Sequence, residues 1–208
     1  MNRSTVRTRS TFVPARPIIV SICGPSNAGK SQLAKAVAVA VGEHCCARIP
    51  TDYFLNLPSA PGPCTPTPIT YDWALLDQIV DQPLGTTVTT PDVDFDRLVR
   101  RAPAGGLAFV VRPILVTDAF VPHPAATVRI RLTASASVRR ARIIARDARW
   151  GARVVERWDL LEHTWDDVAS RSDHWDLRLS GEEPIEDNAA LIAELVGLLV
   201  HRGTPASL

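Results

Sequence analysis

The chain has 208 residues, which is enough to bury one hydrophobic core and short for two domains. Its formal net charge of +1 excludes a strong overall attraction to nucleic acid or to acidic lipid surfaces. Hydrophobic residues make up 46% of the chain, yet no apolar stretch approaches the length of a membrane-spanning helix. We therefore predict a single domain over residues 1–208 with no nucleic-acid partner and no membrane partner.

The elements predicted along the chain alternate between strands and helices. Apolar, strand-like runs occupy residues 17–23, 45–50, 107–116, 127–134 and 175–181. Helical patterns begin at Ser31 and near Trp73, Ser137, Val154 and Asp187. Because strands that alternate with helices form parallel sheets covered by helices, this order predicts the α/β class.

Two features of composition concern the loops and the environment of the chain. The proline-rich stretch "LPSAPGPCTPTP" at residues 57–68 excludes a helix or a sheet interior, and we interpret it as a surface loop near a site. A linker between domains is the alternative. The four cysteines form no C-x-x-C motif. The segment 1–16 is rich in arginine, but it is not followed by an apolar segment of the kind that a secretory signal needs. We expect free thiols in a reducing, cytoplasmic environment.

The segment "GPSNAGKS" at residues 24–31 lies between the first strand and the first helix. It matches G-x-x-x-x-G-K-[ST], in which backbone amides and the N-terminus of the helix bind phosphate oxygens. In this motif Lys30 reaches the β- and γ-phosphates, and the Ser31 hydroxyl ligates Mg²⁺. The residues expected to contact ATP here are Gly24, Ser26, Asn27, Ala28, Gly29, Lys30, Ser31 and Gln32. A glycine turn without function is the alternative interpretation.

The rest of the sequence narrows the class of nucleotide-binding protein. Proteins that switch on GTP read guanine with an N-K-x-D segment, and neither of the two lysines, Lys30 and Lys35, lies in one. Asp52 follows Ser31 by 21 residues (52 − 31) and stands just past the second predicted strand. A carboxylate at that strand end can accept a proton from an attacking hydroxyl or hold the metal. We predict a small-molecule kinase with Asp52 as base; a turn or cap aspartate is the alternative.

Three segments, "GPSNAGKS", "TDYF" and "TYDWALLD", resemble the uridine kinase family, including its phosphoribulokinase-like and nicotinamide riboside kinase-like branches. The resemblance implies a P-loop NTPase fold of the nucleoside-monophosphate-kinase type. This is a three-layer sandwich with a five-stranded parallel sheet, helices on both faces and an arginine-rich lid. It also implies that residues 53–106 bind the acceptor, with Asp52 as the base. The residues that it implies for the acceptor site are Asp52, Tyr53, Tyr71, Asp72 and Phe95.

Within this set, the resemblance implies that Asp72 binds the hydroxyls of a ribose and that Phe95 packs on the face of the nucleobase. An exposed helix-cap aspartate and a core aromatic are the alternative interpretation of Tyr71 and Asp72. The family tyrosine before Phe95 is replaced by Val93, and a family histidine after it is replaced by Leu98. Because of these departures, how the site would recognise the nucleobase stays open.

Five arginines lie on one predicted helix face in "SVRRARIIARDARWGAR", at spacings of 3, 4, 3 and 4 residues. They are Arg139, Arg142, Arg146, Arg149 and Arg153. Kinases use such arginines on a mobile lid to neutralise charge on the phosphoryl group. The family's lid pattern resembles this segment, with one residue missing before its final R-G. We predict a lid over residues 139–155, with Arg142 and Arg146 as catalytic residues that contact ATP. A solvated basic face is the alternative.

The family writes E-G at a strand end where this chain is aligned with Arg112 and Pro113. That glutamate helps to hold Mg²⁺, so Ser31 and Asp52 are the metal ligands expected here, with Asp118 as a possible substitute. Three explanations stay open. Arg112 pairs with Asp52 or binds an anionic group of the substrate or nucleotide; the site has lost catalysis and kept nucleotide binding; or the alignment is locally shifted.

These observations together predict an ATP- and Mg²⁺-dependent kinase whose substrate is a hydroxyl of a nucleoside or nucleoside-like small molecule. One alternative is a phosphotransferase for another small alcohol, such as an antibiotic, a specialised metabolite or a pantothenate-like compound. The other is a nucleotide-binding regulatory protein without catalysis. The sequence leaves open the acceptor, the choice of ATP or GTP, and whether the protein is a homo-oligomer.

Overall fold

The computed structural model describes residues 16–60, 70–145, 152, 155, 158–171 and 174–202. Its strands are β1 (Ile18–Cys23), β2 (Cys46–Ile49), β3 (Thr87–Thr89), β4 (Asp92–Asp94), β5 (Val99–Ala102), β6 (Ala108–Val110), β7 (Ile114–Ala119), β8 (Val128–Thr133) and β9 (Leu177–Ser180). Its helices are α1 (Lys30–Val41), α2 (Trp73–Val80), α3 (Ala136–Ile144), α4 (Trp158–Arg171) and α5 (Ile185–Arg202). A short 3₁₀ helix covers Thr51–Phe54.

Five strands form one all-parallel sheet in the order β2-β7-β1-β8-β9. This confirms the predicted α/β class with a five-stranded parallel sheet. In the centre of the sheet, β1 pairs with β7 in a register that places Ile22 opposite Asp118 and Cys23 opposite Ala119. Because all five strands run the same way, the residues that follow them meet along one edge. We call this the carboxyl edge.

Helices cover both faces of the sheet. Helices α1 and α5 pack on one face, where Leu33, Val37, Ile192 and Val196 join the buried side of the strands. On the opposite face α2 buries Leu76 and Val80 against Phe54 and Leu115. Trp165 of α4 packs with Cys23 on a buried cluster of its own. Near-continuous Val and Ile in β1 and β7 match this burial on two sides. None of the described helices has the length and apolarity to span a membrane.

The predicted strand at residues 107–116 is in fact two separate strands. Its first part forms β6, which pairs antiparallel with β3 outside the main sheet. Its second part begins β7, and Arg112 and Pro113 lie between the two. The Pro113 carbonyl accepts from the amide of Ile18 at 2.8 Å, at the start of β1. Since proline has no amide hydrogen to donate, the ladder restarts after it.

The segment between β2 and β7 forms an arm beside the sheet. Two antiparallel pairs, β3–β6 and β4–β5, lie within it, and an isolated bridge joins Leu55 to Tyr71. Helix α2 starts at Trp73, where the prediction placed it, and Asp72 caps it by accepting from the amide of Leu75 at 3.0 Å. Residues 61–69 of the proline-rich stretch and the predicted helix start near Val154 lie outside the described residues.

Buried polar groups tie the loop after β7 to the sheet and to α2. The hydroxyl of Ser21 contacts that of Thr117 at 2.8 Å and accepts from the amide of His123 at 3.0 Å. The His123 side chain is fully buried, and its Nδ1 accepts from the amide of Ala125 at 3.1 Å. Its Nε2 therefore carries the proton and faces Asp77 of α2 at 3.6 Å. Burial lowers the pKa of His123, although the Asp77 carboxylate opposes that effect.

We expect the lowered pKa of His123 to make the fold sensitive to mild acid. The unfolded chain binds a proton at His123 near pH 6.5, whereas the folded chain binds it only at lower pH, so stability falls as pH drops below about 6.5. His123→Asn keeps an acceptor for Ala125 but cannot be protonated. Its melting temperature should therefore fall less between pH 7 and pH 5 than that of the unmodified chain, by roughly 2–4 °C per pH unit.

The control for this experiment is His44→Asn, because His44 is exposed. Thermal unfolding followed by circular dichroism at each pH measures the difference. If His123→Asn and His44→Asn lose stability in parallel as the pH falls, His123 does not contribute to the acid sensitivity.

Candidate nucleotide and phosphoryl-transfer site

The loop at residues 24–31 leaves β1 at the carboxyl edge and turns directly into α1. Its turn requires left-handed backbone at two positions, Asn27 with φ 62° and Gly29 with φ 106°. Glycine and asparagine are the residues that adopt this conformation most readily. At Gly24 an added Cβ would stand 2.1 Å from the carbonyl oxygen of Leu132, which only glycine avoids. The loop is therefore held close against the end of β8.

The inner side of this loop offers backbone amides. Ala28 donates to Pro25 at 3.3 Å, and the Gly29 carbonyl accepts from Gln32 and Leu33 at 3.1 and 2.9 Å. In the described part of the chain, no protein acceptor meets the amides of Gly29, Lys30 and Ser31. Among the loop side chains, the Ser26 hydroxyl accepts from the side-chain Nδ2 of Asn27 at 3.0 Å, and Gln32 is exposed. Free amides at a helix N-terminus form a site that suits phosphate.

Lys30 lies at the mouth of this cradle. Its ammonium donates to the Pro25 carbonyl at 2.8 Å and stands 4.9 Å from the centre of the Phe120 ring. Burial lowers the pKa of Lys30, and the carboxylates of Asp52 and Asp118 partly oppose this effect. The loop lysine therefore lies within electrostatic reach of two acids at the same edge.

Asp118 is an acid in the central part of this edge, because it is the penultimate residue of β7 and lies opposite Ile22. Arg112 precedes β7 and lies at the other edge of the sheet, roughly 25 Å from the loop along the strands. This corrects the placement of Arg112 beside the site, and with it the idea that a cation replaces the acid at the strand end. Of the three explanations for Arg112, the local shift of the alignment agrees with the fold.

The side chain of Asp118 is held by two neighbours. Its Oδ2 accepts from Arg48 of β2 at 2.7 and 3.3 Å, and its Oδ1 accepts from the amide and the hydroxyl of Thr51, both at 3.3 Å. The Thr51 hydroxyl in turn accepts from the Asp118 amide at 3.0 Å. Sequence reasoning missed Arg48 and Thr51. An arginine inside a strand of a sheet that is buried on both faces was the signal for such a pair, because a buried charge needs a partner.

The residues present fit a nucleoside triphosphate, and they fit Mg²⁺ through Ser31 and Asp52. Asp52 is exposed in the 3₁₀ helix just after β2, and Ser31 is half-buried in the first turn of α1. Asp118 is less suited to direct ligation, because both of its oxygens already hold protein donors. Among the described residues, no three acidic, histidine or cysteine side chains cluster around one point. Mg²⁺ does not need such a cluster, because it keeps several waters and binds phosphate oxygens.

The acceptor residues divide into two groups. Tyr53 and Phe95 are half-buried and pack edge to face, with ring centroids 4.9 Å apart, beside Asp52. Tyr71 is 6% exposed, stacks on Trp73 at 4.8 Å and accepts from the amide of Phe120 at 3.1 Å. Burial and, to a lesser degree, Asp52 raise the pKa of Tyr71 well above its usual value. Tyr71 is thus a buried aromatic residue, as the core-aromatic interpretation predicts, and its hydroxyl holds the backbone of Phe120.

Asp72 also has partners within the protein. Besides capping α2, it accepts from Arg100 of β5 at 2.8 Å, and Arg100 donates further to the Leu55 carbonyl at 2.9 Å. Burial acts to raise the pKa of Asp72, but the hydrogen bonds from Arg100 and Leu75 outweigh it, and the pKa is lowered. The structure thus places Asp72 as a helix cap that fastens the hairpin β4–β5. This differs from the predicted contact with sugar hydroxyls.

In the described part of the predicted lid, the side chains of Arg139 and Arg142 have partners within the protein. Arg139 is buried, forms a bidentate pair with Glu162 of α4 and lies 5.0 Å above the Trp158 ring. Arg142 donates to the carbonyls of Asn27 at 3.2 Å, Ala28 at 3.1 Å and Gly181 at 2.6 Å. The first two arginines of the stripe are thus structural contacts of α3. Arg146, Arg149 and Arg153 lie outside the described residues.

No protein-family model matches this chain, and no curated protein shows significant similarity to it. The functional interpretation therefore depends on the geometry of the carboxyl edge and on the local motifs.

We expect the Arg48–Asp118 pair to be important for stability. Arg48→Leu leaves Asp118 buried without its cation, which should lower the free energy of unfolding by about 3 kcal/mol. Arg48→Leu combined with Asp118→Asn removes both charges while keeping an acceptor for Thr51, and should recover most of that loss. Urea unfolding measures both variants. Equal stability of the single and the double variant would show that Arg48 is not needed to compensate the buried charge of Asp118.

Proposed function

We propose that this protein is a small-molecule kinase of the uridine kinase-like type, which transfers the γ-phosphoryl group of ATP to a hydroxyl of a nucleoside or nucleoside-like acceptor. One observation carries the proposal. A glycine loop of the phosphate-binding pattern, with Lys30 at its end, follows β1 at the edge of the parallel sheet where Asp118 of β7 and Asp52 after β2 also lie. A phosphate cradle beside an exposed carboxylate is what phosphoryl transfer to an alcohol requires.

In the proposed reaction the amides that open α1 and the ammonium of Lys30 bind the β- and γ-phosphates. The carboxylate of Asp52 accepts the proton of the acceptor hydroxyl as its oxygen forms a bond to the γ-phosphorus. The bond between that phosphorus and the bridging oxygen breaks, and ADP leaves with the electron pair. Lys30 stabilises the negative charge that spreads over the phosphoryl oxygens.

Mg²⁺ fits this site with the Ser31 hydroxyl and the Asp52 carboxylate as protein ligands. When bound, it neutralises charge on the β- and γ-phosphates. Asp118 acts indirectly. Its hydrogen bonds hold Thr51, the first residue of the 3₁₀ helix that carries Asp52. The acceptor lies against Tyr53 and Phe95, whose rings form an aromatic wall next to the base.

The first test is ADP release from ATP and Mg²⁺ with a panel of nucleosides, nicotinamide riboside, pantothenate and nucleoside antibiotics. Lys30→Ala should lower turnover at least about a hundredfold, because it removes the cation on the transferring group. Lys35→Ala is the matched control, since it removes the one other lysine of the chain, which is exposed on the same helix. Turnover on pantothenate but not on nucleosides would instead support the alternative alcohol acceptor. ATP binding without turnover across the panel would support the regulatory alternative.

Asp52→Asn tests the base directly. It should lower kcat by about a hundredfold or more, because the group that accepts the proton is lost, and leave the Kd of ATP within a few-fold, because the loop amides, Lys30 and Ser31 still hold the phosphates and Mg²⁺. Glu43→Gln is the control, since it neutralises an exposed carboxylate before β2, at the edge away from the loop. Equal kcat in Asp52→Asn and the unmodified enzyme contradicts the assignment of Asp52 as base.

A further inference from the structure

Arg142 binds the phosphate loop through its main chain. Its Nη1 donates to the carbonyl oxygens of Asn27 and Ala28 at 3.2 and 3.1 Å. The same nitrogen stands 3.7 Å from the position that a Cβ on Gly29 would take. The guanidinium therefore covers the segment 27–29, which contains both left-handed positions of the loop.

These contacts are made to carbonyl oxygens of the loop, on the side opposite to the amides of the same peptide groups. In a trans peptide the amide hydrogen and the carbonyl oxygen point in opposite directions. When the amides of such a loop converge on an anion, its carbonyls diverge, and they need donors elsewhere. Arg142 supplies those donors, and a guanidinium serves this purpose well because its N–H groups are fixed in a plane.

The third partner joins the loop to another part of the sheet. The Nη2 of Arg142 donates to the carbonyl of Gly181 at 2.6 Å, just after β9. A Cβ on Gly181 would stand 2.0 Å from the carbonyl oxygen of Ala28, so the two turns are in close contact. Glu182 fastens the same turn to the start of α3 by accepting from the amide of Ser135 at 2.6 Å.

We propose that Arg142 is a positioning residue that holds the phosphate loop in its binding conformation and couples that loop to helix α3, the base of the predicted lid. It acts through the carbonyls of Asn27, Ala28 and Gly181, without contact to the γ-phosphoryl group. The inference rests on the proposed function for its effect on nucleotide binding. Its effect on the loop itself does not depend on that function.

Positioning and direct phosphate binding predict different patterns of affinity. An arginine that binds the γ-phosphoryl group contributes to ATP binding and little to ADP binding. An arginine that shapes the loop contributes to both, because the loop also holds the β-phosphate. Arg142→Gln should therefore weaken the binding of ATP and of ADP by the same factor, about tenfold in Kd.

The experiment compares Arg142→Gln with Arg140→Gln by titration calorimetry with ATP and ADP. Arg140 is exposed on the same helix and contacts the Trp158 ring at 5.1 Å, so its substitution matches the loss of charge. Amide hydrogen exchange in the protein without nucleotide is measured alongside. Ala28 and Leu33, whose amides donate to Pro25 and Gly29, should exchange about tenfold faster in Arg142→Gln and unchanged in Arg140→Gln.

The outcomes separate the two proposals. If the unmodified protein binds neither ATP nor ADP, the proposed function fails, while faster exchange at Ala28 and Leu33 still supports positioning. Loss of ATP affinity alone in Arg142→Gln overturns positioning in favour of a phosphate contact. Unchanged exchange and unchanged affinity also overturn it. If Arg142→Gln is too unstable to purify, Arg142→Lys, which keeps the charge but not the planar donors, should show the same equal loss for ATP and ADP.

Discussion

The parallel register between β1 and β7 is the constraint on which the candidate site depends. Since Cys23 lies opposite Ala119, β1 and β7 end at the same level, and the loop at residues 24–31 starts next to the end of β7 that carries Asp118. Strand β2 pairs with β7 on the other side and brings Thr51 and Asp52 to that level as well. A one-residue shift of β7 against both neighbouring strands would move Asp118 away from Thr51 and turn its side chain to the other face of the sheet.

Two charged groups near the site are paired with an opposite charge, and a third is hydrogen-bonded to carbonyl oxygens. Asp118 pairs with Arg48, Arg139 pairs with Glu162, and Arg142 satisfies three carbonyls. Lys30 differs, because its ammonium meets a carbonyl oxygen and an aromatic ring and its pKa is lowered. A partly buried lysine whose direct contacts are a carbonyl oxygen and an aromatic ring favours an anionic ligand.

Loops and arms around the edge are fastened by the same kinds of contact. Asp72 and Arg100 attach the hairpin β4–β5 to α2, and Tyr71 supports the backbone of Phe120 below Lys30. Asp52, Tyr53 and Phe95 are the residues of the proposed acceptor side. In the proposed kinase, rigid surroundings of this kind would keep a base within the narrow geometric limits that proton transfer needs.

The sequence by itself determined the alternation of strands and helices, the parallel sheet and the glycine loop, because these depend on local periodicity and on backbone conformations that few residues adopt. It also predicted Asp52 at a strand end. Only the tertiary structure decided that Arg112 lies at the far edge, that Arg48 holds Asp118, and that Arg142 and Asp72 bind the protein itself. Those outcomes depend on which strands are neighbours and on which distant carbonyls and carboxylates meet them, and residue spacing along one chain does not encode either.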